Sequence, residues 1–92
     1  MKLTITNARP VDCSMAFPPT ALSARVRIFD IAPATSAVLL YTPKTGDNPV
    51  RFNGPETTAE VPVEGHEMYA QPVLGNTTYR VEFLGYRDDL TR

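Results

Sequence analysis

The chain has 92 residues, 42% of them hydrophobic and 21% charged, with a net charge of −1. That length supports one domain with one economical core, and the near-neutral charge excludes a general attraction to phosphate backbones, so nucleic acid is not an expected partner. Nine prolines against five glycines favour short extended segments and fixed turns over long helices.

Leu3 and Ile5 alternate with Lys2, Thr4 and Thr6, which predicts a first strand closed by Asn7 and Pro10. The same stretch lacks the continuous apolar run of a signal peptide, so secretion by a leader is not expected. Residues 8–20, with Cys13, Phe17, Pro18 and Pro19, read as an extended, polyproline-like arm whose apolar side chains need a cover. Leu22, Ala24, Val26 and Ile28 share one face against Ser23, Arg25 and Arg27, the clearest half-buried strand. Phe29 and Ile31 fall out of phase with Ile28, which predicts a β-bulge there or burial of both faces.

Ala37 to Tyr41 is a continuous apolar strand suited to the middle of a sheet, and at this length it cannot span a bilayer. Val50 to Phe52 forms a short strand between turn-rich segments. Thr57 to Val63 alternates, and Pro62 makes it an edge strand. Met68 to Val73 and Thr78 to Leu84 are the last two strands, joined at Gly75-Asn76, and residues 85–92 read as a charged, partly frayed tail. The expected fold is all-β: one small antiparallel β-sandwich spanning residues 1–92, Ig-like, with about seven strands and no substantial helix.

The run from Leu74 to Phe83, LGNTTYRVEF, resembles the end of a fibronectin type III or immunoglobulin-like domain. The resemblance covers ten residues and implies that Tyr79 is the corner tyrosine bonding back to backbone, that Leu74 plugs the core, and that Val81 and Phe83 lie in it. The chain departs from that pattern in having no tryptophan and no proline in the turn.

No constellation of catalytic or metal-ligating residues emerges, and the chain is read as not an enzyme, with no cofactor. His66 is the single histidine; with Glu64 or Glu67 it could act as base or ligand, but a metal needs three or four donors, and a polar turn residue is the simpler reading. Cys13 is the only cysteine, which excludes an intrachain disulfide. Beside Asp12 it reads as a small hydrophobe rather than a nucleophile. Asn76-Thr77-Thr78 fits a glycosylation acceptor and is read as turn chemistry.

Arg25 and Arg27 could join a basic stripe that binds carboxylates or phosphates, against the plainer expectation that they pair with Glu60 and Glu82 across strands. Tyr69 and Tyr86 are candidates for exposure and stacking. The candidate partner-contact residues are therefore Phe17, Pro18, Pro19, Arg25, Arg27, Tyr69 and Tyr86. In size, β content and proline richness the chain resembles small decoration and fibre-base proteins of tailed-phage virions. That resemblance implies a structural role in a virion, made in the host cytoplasm, with a capsid or neighbouring subunit as protein partner and homo-oligomerisation open. The alternative is a carbohydrate-binding β-sandwich module; neither reading involves a membrane.

Overall fold

In the computed structural model, residues 9–88 are described. Seven strands follow one another: β1 (Arg9–Pro10), β2 (Ala21–Ala32), β3 (Ala37–Tyr41), β4 (Val50–Asn53), β5 (Thr57–Pro62), β6 (Tyr69–Pro72) and β7 (Thr78–Asp88). They form two antiparallel sheets, ordered β1-β6-β3-β4 and β5-β2-β7, with no helix among the described residues. The fold is the expected all-β sandwich. The strand expected around Leu3 and Ile5 lies outside the described residues, and the first described strand is the short pair Arg9–Pro10 against Ala70 and Tyr69.

The inner faces supply the core. Ile28, Val26, Val38, Leu40, Phe52 and Val61 are fully buried, with Met68, Val63 and Cys13 beside them. Each large side chain withdrawn from water contributes roughly 1.5–3 kcal/mol, which sets β2 and β3 as the centres of their sheets. As the unbroken apolar run predicts, β3 is an inner strand, paired with β4 and β6. As Pro62 predicts, β5 is a border strand, paired with β2.

β2 reads differently from simple alternation. Its buried residues are Ala21, Ala24, Val26, Ile28 and Ile31. The spacing widens at both ends because the β2–β7 register shifts between Ala21 and Ser23, and again between Phe29 and Ala32. The second shift is the expected bulge: Asp30 takes a positive φ of 54°, which returns Ile31 to the interior. The first shift corrects the expected face of Leu22. As the extra residue of a bulge it turns outward and is 41% exposed, while Ala21 takes the inner place.

Two further expectations are corrected. The arm at 8–20 is not an extended segment awaiting a cover. Turns fold it inward, with Ala16 N–H donating to Cys13 C=O at 3.1 Å and Ala21 N–H to Pro18 C=O at 3.0 Å, and Cys13 and Phe17 enter the core. Residues 85–88 of the expected tail continue β7, because Leu84 is a bulge residue that lets Gly85, Tyr86 and Arg87 resume pairing with Arg25, Ala24 and Ser23.

The connectivity departs from the immunoglobulin pattern, in which the first strand pairs with the second and the last with the sixth. Here the first described strand pairs with the sixth and the last with the second, so each lies in the sheet opposite to the one that pattern assigns it. Tyr79 consequently sits on the last strand. Its hydroxyl bonds no backbone group among the described residues, and Leu74 is 43% exposed rather than a core plug. Tyr79, Val81 and Phe83 do turn inward and pack against the core.

Candidate functional site

The candidate contact residues divide into three groups. Phe17 is buried, its ring edge-on to Phe83 at 6.1 Å and tilted on His66 at 5.4 Å. His66 meets the Phe17 carbonyl through Nε2 at 2.5 Å, and its own carbonyl accepts from Cys13 Sγ at 3.3 Å. These contacts tie the 13–17 segment to the turn before β6 and use both residues structurally. Burial, then the neighbouring Asp12, pushes the Cys13 thiol up from its ordinary range, which keeps it protonated and poorly nucleophilic at neutral pH. Among the described residues no group of three or more His, Cys, Asp or Glu is placed to hold a metal ion. Pro18 is half-buried and Pro19 exposed.

Arg27 belongs to the second group. Its Nε donates to Glu56 Oε2 and its Nη1 to Glu82 Oε1, each at 2.8 Å, while the guanidinium lies 4.1 Å from the centroid of the Phe29 ring. The cross-strand pair with Glu82 is the one the alternation predicts. Hydrogen bonding to Glu56 and then Glu82 raises the Arg27 pKa, and the bond from Arg27 in turn lowers that of Glu56. Tyr69 is also structurally engaged: it is half-buried in β6 between Pro10 and Tyr41 in register.

The third group converges. Arg25 and Tyr86 line one notch of about 580 Å³ with Thr58, Glu60, Leu84 and Arg87. Gly85 forms its floor, where an added Cβ would meet open space. Glu60 stands opposite Arg25 in register but is occupied elsewhere, accepting from Ser23 Oγ and lying 3.4 Å from Arg87 Nε. Arg25 thus has no ion pair among the described residues. Leu84 is 47% and Tyr86 49% exposed, and the bulge residue Leu22 is exposed further along β2, level with Arg87 and Asp88. Among the described residues no strand lies on the other side of β7, the arrangement of a sheet edge, which can template pairing with another chain.

A second depression was not legible as a site. It is a groove of about 970 Å³ where β1, the end of β6, the 73–77 turn and the start of β7 meet, lined by Arg9, Gln71, Asn76, Thr78 and Tyr79 among others. Gln71 Oε1 is buried and accepts no hydrogen bond among the described residues. Desolvation raises the pKa of the half-buried Tyr79 phenol, and the charge of Arg9 opposes that rise. The signal in the sequence was a glutamine inside the otherwise apolar run Tyr69 to Val73. Thr77, also in the lining, shares a hydrogen bond of 2.6 Å with Ser36 Oγ.

No family model, curated protein or solved structure matches this chain. No helix among the described residues is long and apolar enough to cross a membrane.

Proposed function

We propose that this chain is a non-enzymatic structural and interaction protein: a decoration, cement or fibre-base component of a larger assembly such as a phage virion. The observation that carries this reading is the β7 border, an eleven-residue strand with a free side among the described residues and an apolar, half-exposed stretch at Leu84 and Tyr86. Long edge strands are normally shortened, covered or interrupted by proline because they template pairing with other chains. β7 contains no proline, and its outward leucine is placed there by a bulge.

The mechanism follows from that geometry. An extended segment of a capsid or neighbouring subunit adds to β7, its backbone supplying the ladder and hence the register. Leu84, Tyr86 and Leu22 lose water on docking, and the unpaired Arg25 favours a partner carrying a carboxylate at the notch. A protein partner suits this surface better than nucleic acid, since Arg87 at the notch is already opposed by Glu60.

The test is sedimentation of the tagged chain from its native host background, beside a double variant with Leu84→Lys and Tyr86→Lys. Co-migration of the wild type with a particle of megadalton size, lost in the double variant, is expected. A wild-type peak at about 10–30 kDa, the range of monomer to trimer for this length, would sink the reading.

A further inference from the structure

The groove between β1 and β7 presents two unmet chemical demands along one lining. Arg9 is exposed and forms no ion pair with any described residue. Tyr79 presents a half-buried phenol whose hydroxyl has no hydrogen-bond partner among the described residues. A hydroxyl and a guanidinium both without protein partners among the described residues offer a ligand a hydrogen bond and an opposite charge side by side.

We propose that this groove is a binding site for a carboxylate-bearing sugar, of the uronic or sialic acid class. The ligand combines an anion for Arg9 with a hydroxyl for the Tyr79 phenol. A bare phosphate or sulfate meets the first demand and not the second, and a neutral sugar meets the second and not the first. An acidic sugar carries both on one compact ring. Its remaining hydroxyls match the Asn76 amide and the Thr78 hydroxyl, and its C–H face suits an aromatic ring. At about 970 Å³ the groove is at the upper end of ligand sites and has room for more than one residue of a glycan. Gly75, exposed in the turn, has open space where a side chain would be, which keeps the rim clear.

The site is separate from the notch at Gly85, so this inference and the assembly reading can fail independently. It also places sugar binding away from Tyr69 and Tyr86, where the sequence pattern had located it.

The test is amide NMR of the full chain titrated with D-glucuronate, with D-glucose and inorganic phosphate as matched probes. Glucuronate is expected to shift Gly75, Asn76 and Thr77 and to bind at least about tenfold more tightly than either control, a gap of about 1.4 kcal/mol. Arg9→Gln is expected to reduce glucuronate affinity to that of glucose. The proposal is overturned by the absence of shifts, by equal response to glucose or phosphate, or by glucuronate binding that Arg9→Gln leaves intact.

Discussion

The two borders of the β5-β2-β7 sheet are finished in opposite ways. β5 has six residues, ends at Pro62, and is anchored where Thr42 Oγ1 donates to the Pro62 carbonyl at 2.7 Å. β7 has eleven residues, no proline, and a bulge that sets a leucine outward. The contrast repeats within β2. Arg27 is clasped by Glu56 and Glu82, whereas Arg25, two residues earlier on the same face, stands opposite Gly85 and a Glu60 already engaged by Ser23 and Arg87. A small sheet can close one side with proline and side-chain bonds while leaving the other side open, and the open side is the one with contact chemistry.

The largest expected effect comes from undermining β7 from within. Phe17 packs on Phe83 of β7, so Phe17→Ala should cost about 3–5 kcal/mol, as for other large-to-small aromatic truncations in cores. Urea unfolding measures this directly. A cost near zero would mean that the 13–17 segment is not part of the core.

The β5 side is next. Gly54 follows β4 in the turn that leads to β5, and a Cβ there would come within 2.6 Å of the Ala34 carbonyl oxygen. Backbone cannot yield as a flexible side chain can, so Gly54→Ala should cost about 1–3 kcal/mol by overpacking. By contrast Gly85→Ala meets open space, and its Tm should stay near that of wild type. Thermal melts of the pair test whether the two sides differ in tightness as described.

A smaller effect, readable by pH, is expected at Arg27. Its hydrogen bond holds the Glu56 carboxyl below the usual range. A depressed folded-state pKa stabilises fully above the unfolded value, about 4.3 for glutamate, and the contribution disappears as pH falls through the lower folded value. The Tm difference between wild type and Glu56→Gln should therefore be present at pH 7 and shrink steadily below about pH 4. High salt should reduce it as well, since the pair is solvent-exposed. A difference that persists into acid would assign the role of Glu56 to something other than charge.

The smallest stability effect belongs to the notch. Arg25→Ala, and Leu84→Lys with Tyr86→Lys, should leave Tm almost unchanged, since surface substitutions away from buried networks usually fall within about 0.5 kcal/mol. Their effect should instead appear in co-sedimentation with the assembly. Substantial unfolding of either variant would show that this surface is part of the fold's own support.

Several expectations failed at residues where local pattern and tertiary packing disagree. Leu22 was grouped with Ala24, Val26 and Ile28 by strict alternation, but one inserted residue reverses the facing of everything beyond it. The bulge at Asp30 could be anticipated because Phe29 and Ile31 broke phase. The one at Leu22 left no such mark, since Ala21 and Leu22 are both apolar. Phe17 was read as surface because prolines follow it, though a proline turn can equally deliver an aromatic ring inward. Tyr79 was assigned a corner role from a ten-residue resemblance, which contains nothing about which sheet receives the last strand.

Alternation, proline placement and the unbroken apolar run at 37–41 determined on their own that the protein is an all-β domain, that β3 is central and that β5 is a border. They could do so because side chains in a strand alternate faces with period two and because proline cannot donate to a ladder. Tertiary structure alone decided the sheet in which the first and last described strands lie, the outward turn of Leu22 and Leu84, the capture of Arg27 with the release of Arg25, and the meeting of Arg9, Gln71 and Tyr79 around one groove. Those outcomes depend on which strands become neighbours and in what register, and that choice is made by the burial of the whole core at once rather than by any segment's own pattern.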